Sequence, residues 1–98
     1  MRVVFERSGG FSGLKLKGSV DSSALSLSQA RRLTKLLKQS GFFELPSILE
    51  SPHEGADHFT YRVTVETEER KHTVEASDIA MPAPMRSLLD FLTRSILK

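Results

Sequence analysis

The densest run of potential metal ligands is His53-Glu54-Gly55-Ala56-Asp57-His58. A zinc-peptidase helix needs a second histidine four residues after the first, on the same face, with a glutamate between them as base. That position is Asp57, and Pro52 and Gly55 argue against a helix. A site built from His53, Asp57 and His58 needs an unusual loop geometry, so the run reads as a surface loop. The chain has no cysteine. Disulfides and thiol catalysis are excluded, and any zinc site must use histidine and carboxylates alone. Ser8, Ser12, Ser22 and Ser23 lack the G-x-S-x-G surroundings of a nucleophile elbow. Gly9-Gly10-Phe11-Ser12-Gly13 has neither the lysine nor the following helix that a phosphate-binding loop requires. His72, beside Lys71, reads as a partly exposed sheet residue in preference to a catalytic base. No nucleophile stands with a base, and no acid with a paired base. The expectation is a binding module, without enzymatic activity and without a cofactor.

The elements that position these residues follow from hydrophobic periodicity. Phe59, Tyr61, Val63 and Val65 alternate with Thr60, Arg62, Thr64 and Glu66. After the polar cluster 66–70, Val74 and Ala76 resume the apolar row. That period of two predicts a β-hairpin with one wet face and one buried face. Val3 and Phe5 predict an earlier strand, and Leu14, Leu16 and Val20 another. Gly18 falls on the apolar side of the latter, where it marks a bulge or the close approach of another element. The glycine-rich loop 8–13 closes these two strands into a hairpin. Phe11 in that loop either folds back as a plug or projects as a contact.

Ser26 to Gln29 fits a capping box, and Leu27, Ala30, Leu33 and Leu37 share one helical face. Gly41 suits the left-handed residue that ends the helix, and at least one of Phe42 and Phe43 belongs in the core. Residues 46–57, with two prolines and no period, read as a surface loop. Met85, Leu88, Leu89, Leu92 and Ile96 form the stripe of a second helix. The order ββαββα predicts a single α+β domain over residues 1–98. Its expected form is a four-stranded antiparallel sheet with two amphipathic helices packed on one face.

Composition narrows the partners. Charged residues make up 27% and hydrophobic ones 39% of the 98 positions, the balance of an ordinary folded domain. The beginning of the sequence has no apolar run of secretory length, and no stretch reaches the roughly 20 apolar residues that span a bilayer. A cytoplasmic, soluble protein with no membrane partner is expected. A net charge of +2 is too small to argue for nucleic acid, even at a pI near 9.2. The basic face of the first helix, Arg31, Arg32, Lys35 and Lys38, is either a solvated face or a weak nucleic-acid contact.

Five blocks extend the reading: FERSGGFSG at 5–13, SGFFELP at 40–46, GADHFTYRVTVE at 55–66, KHTVEASD at 71–78 and PAPMRSLLDFL at 82–92. Together they resemble the emfourin-like family, over nearly the whole chain from Arg2 to Leu92. Members are small cytoplasmic protein inhibitors of thermolysin-like (M4) zinc metallopeptidases, of the kind encoded alongside protealysin-type enzymes. The resemblance implies a chain, monomeric when free, that binds at the peptidase cleft and excludes substrate, the partner supplying the zinc. Such enzymes favour a bulky apolar side chain just after the scissile bond. The Gly9-Gly10-Phe11-Ser12 loop is therefore the first candidate contact, with Phe11 as anchor. The second is the 46–57 loop, with Ile48 and Leu49 as apolar anchors and Glu50, Glu54 or Asp57 as carboxylates for the enzyme zinc. The alternative is an adaptor that binds another protein, or nucleic acid through its first helix, and inhibits nothing.

Overall fold

Three apolar rows run across the sheet. The structure, a computed structural model, describes residues 1–9, 15–49, 59–77 and 81–96. Strands β1 (Arg2–Gly9), β2 (Leu16–Asp21), β3 (Ile48–Leu49), β4 (Phe59–Glu66) and β5 (Lys71–Ser77) form one sheet in the order β2-β1-β4-β5-β3. Registers place Val20, Val3, Val65 and His72 in one row and Gly18, Phe5, Val63 and Val74 in the next. The third row holds Leu16, Arg7, Tyr61, Ala76 and Leu49. The six apolar residues of the first two strand rows that carry large side chains at the centre (Val3, Phe5, Val63, Val65, Val74 and Val20) are buried, as period-two alternation requires.

Helices α1 (Leu27–Ser40) and α2 (Ala83–Ile96) cover this face. Ser26 Oγ accepts from the Gln29 backbone N–H at 3.2 Å and caps α1. Gly41, at φ 62°, ends it in the left-handed region with its N–H shared between the carbonyls of Leu37 and Lys38. The buried stripe of α1 is Leu33, Leu36 and Leu37, whereas Leu27, expected on that face, is 68% exposed. Leu27 is the first helical residue and lies beyond the edge of the core. On α2, Met85, Leu88, Leu89 and Leu92 are buried as their spacing requires. Gly18 is the close approach of α2: a Cβ there would stand 2.8 Å from Ile96 Cγ1.

The α+β class with both helices on one face agrees with the sequence reading. The four-stranded, purely antiparallel sheet does not: the sheet has five strands and is mixed, because β3 pairs with β5 in parallel. The expected 46–57 loop thus begins with an edge strand. The reason lies just before it. A short 3₁₀ turn at Phe42–Glu44 follows α1, and the Leu45 carbonyl meets His72 Nε2 at 2.7 Å, near the start of β5. From that tether the chain runs alongside β5 in the same direction, and the Glu75 N–H donates to the Ser47 carbonyl at 2.8 Å. Phe42, fully buried, packs edge-on against His72 and Phe43, and the Arg70 guanidinium lies 3.9 Å from the centre of the Phe43 ring. His72 is therefore half-buried on the helix side of the sheet, a structural strut.

Candidate functional site

The registers bring several strand ends to one end of the sheet. β1 leaves it at Gly9, which pairs with Phe59, the first residue of β4. β2 enters it at Leu16, opposite Arg7. β5 ends there at Ser77, opposite Thr60, and the parallel β3 ends beside Ala76 at Leu49. Positions 10–14, 50–58 and 78–80 are accordingly all joined to the sheet at this end. Antiparallel pairing of β1 with both β2 and β4 produces the convergence, because hairpin connections alternate between the two ends of a sheet.

The described residues of this end are aromatic and cationic. Arg7 lies with its guanidinium 4.9 Å from the centre of the Phe59 ring, and Tyr61 packs 6.0 Å from Phe5. A shallow depression of about 270 Å³ beside them is lined by Tyr61, Met81, Arg86, Leu89 and Asp90. Gly9 has φ 107°, a conformation that L side chains rarely adopt, so the last residue of β1 suits glycine. Ile48 pairs with Glu75 and points to the uncovered face of the sheet, 63% exposed. Leu49 has the opposite parity and packs half-buried against the core. Gly10, Phe11, Ser12, Glu50, Glu54 and Asp57, together with His53 and His58, lie outside the described residues.

The uncovered face itself holds a broad depression of about 730 Å³. Its floor is Val4, Thr64 and Thr73, the two hydroxyls 2.8 Å apart, and its rim includes the Arg62–Glu75 ion pair at 3.1 Å. Sequence reading marked Arg62 and Thr64 as a wet row without pairing them. The four-residue turn 67–70 supplies the missing step, since it sets Glu66 opposite Lys71 and hence Arg62 opposite Glu75. Among the described residues no three His, Cys, Asp or Glu side chains are grouped to hold a metal ion. No helix among them is long and apolar enough to cross a membrane.

The family model for Emfourin matches residues 5–93, and the chain belongs to the Emfourin family. No match was found among curated proteins or among solved structures.

Proposed function

We propose that this chain is a cytoplasmic protein inhibitor of a thermolysin-like (M4, protealysin-type) zinc metallopeptidase, and that it docks the loop end of its sheet in the active-site cleft. Membership of the Emfourin family over residues 5–93 carries the reading. The strand ends support it. Contacts in 10–14 and in 50–58 are joined to one five-stranded sheet at one end, so they reach the same cleft together. A scaffold that holds both attachment points limits the entropy lost on association.

In this reading Phe11, between Gly10 and Ser12, fills the apolar pocket just beyond the scissile position. Ile48 and Leu49 border the second contact, and Glu50, Glu54 or Asp57 faces the zinc that the partner supplies. Removing a buried aromatic anchor costs about 2 kcal/mol or more, roughly a thirtyfold rise in the inhibition constant. Phe11→Ala is expected to show that rise against a protealysin-type enzyme, with the fold unchanged by circular dichroism. If Phe11→Ala inhibits normally while Ile48→Ala or Asp57→Ala fails, the anchor lies in the second loop.

A further inference from the structure

We propose that the groove between α1 and α2 is a second docking site, and that it takes an acidic peptide segment carrying an apolar side chain. Helix α1 contributes Arg31, Arg32, Lys35 and Lys38 and no carboxylate, while α2 contributes Arg86, Arg94 and the single Asp90. Six cations against one carboxylate give the helices a net charge of +5. The whole chain carries +2, so the rest of the molecule is net −3. The charge is therefore segregated onto the helical layer.

Five of those cations have no ion-pair partner among the described residues. Both ion pairs among the described residues, Arg62–Glu75 and Lys71–Glu66, belong to the sheet. Arg31, Arg32, Lys35, Lys38 and Arg94 form none among the described residues. Like charges gathered on one layer repel one another, and a bound anionic partner relieves that repulsion.

The groove has a volume of about 450 Å³. Arg32 and Gln29 line it from α1, and Arg94, Phe91, Ser87 and Asp90 from α2. Phe91 is half-buried, so part of its side chain offers an apolar surface in a groove that two exposed arginines, Arg32 and Arg94, also line. Arginine forks match carboxylates in a bidentate geometry, and the Phe91 ring suits an apolar side chain. Asp90, the one carboxylate in the lining, can accept from a backbone N–H of the bound peptide. No strand residue lines the groove, and Asp90 is the one residue it shares with the depression beside Tyr61.

The probe is a fluorescein-labelled peptide in which glutamates flank a leucine–phenylalanine pair, read by fluorescence anisotropy at low salt. Saturable binding is expected, weakened by about tenfold or more in Arg32→Glu/Arg94→Glu. Arg31→Glu/Lys38→Glu, which reverses the same amount of charge outside the groove, is expected to weaken it by about threefold or less. All four positions are exposed, so thermal unfolding should confirm that both variants fold. Absence of saturable binding to the unmodified protein overturns the proposal. So does equal weakening by the two double variants, which signifies diffuse charge attraction. A labelled single-stranded oligonucleotide that binds more tightly than the peptide also overturns it in favour of a nucleic-acid face. Peptidase inhibition by Arg32→Glu/Arg94→Glu is expected to stay unchanged, which separates this site from the inhibitory one.

Discussion

A single methyl group added at Gly18 probes the contact that seats α2 on the sheet. A Cβ there would lie 2.8 Å from Ile96 Cγ1 and Cγ2 and 2.9 Å from Cδ1, where ordinary contacts are 3.4–4 Å. All three atoms belong to one side chain in the last turn of α2, so Ile96 must rotate or the helix end must shift. Overpacking of this kind costs about 1–3 kcal/mol. Gly18 does not have a positive φ, so no backbone strain is added. Alanine also restricts the unfolded chain, which returns about 0.4–1 kcal/mol. The net expectation for Gly18→Ala is a loss of about 1–2 kcal/mol, or a fall in Tm of about 5–10 °C for a domain of this size. Ile96→Ala removes all three crowded atoms. In that background Gly18→Ala is expected to be neutral or stabilising, giving a coupling of about 1–2 kcal/mol in a double-mutant cycle. Urea unfolding of the four proteins reads the cycle. Equal destabilisation by Gly18→Ala in both backgrounds would refute the steric argument.

Further outcomes follow from the same packing. Phe42→Ala empties a fully buried ring site shared with Phe43 and His72, and should cost about 3–5 kcal/mol, read as a lower urea midpoint. Gly41→Ala meets no atom within 4 Å, so its expected loss of about 1 kcal/mol in a thermal melt is backbone strain at φ 62° alone. The Asp21 carboxyl is held below its ordinary value of 3.8, first by the backbone N–H of Ser23 and then by its hydroxyl. A depressed folded-state value means that this stabilisation is present above pH 3.8 and is lost as pH falls through the folded value. Asp21→Ala should therefore show a shallower acid decline in Tm than the unmodified protein.

Strand positions were the most legible part of the fold because period two leaves little freedom once one face is buried. Val3, Phe5, Val63, Val65 and Val74 all lie where alternation puts them. Gly18, on the apolar side of its strand, proved to be the close approach of a helix. Helix α1 begins after Ser26 and ends at Gly41 as their capping chemistry requires, but its buried stripe holds Leu36 and not Leu27, since both fit an apolar face and only tertiary packing selects Leu36. β3 escaped notice because two residues after a proline have no period to detect; its pairing depends on the His72–Leu45 tether, a contact across 27 residues. The glycines and prolines of 8–13 and 46–57 predict loops, and within the described residues the second of these begins with the strand Ile48–Leu49. Their attachment at one end was not legible, because it follows from the β1–β4 pairing, which joins strands separated by a helix.

The central claim is peptidase inhibition, and a titration tests it most directly. Purified protein would be added in steps to a panel of thermolysin-like peptidases that includes a protealysin-type enzyme, with residual hydrolysis of a peptide substrate as the readout. Stoichiometric loss of activity with at least one enzyme is the predicted result. Undiminished hydrolysis across the panel at inhibitor excess would contradict the account.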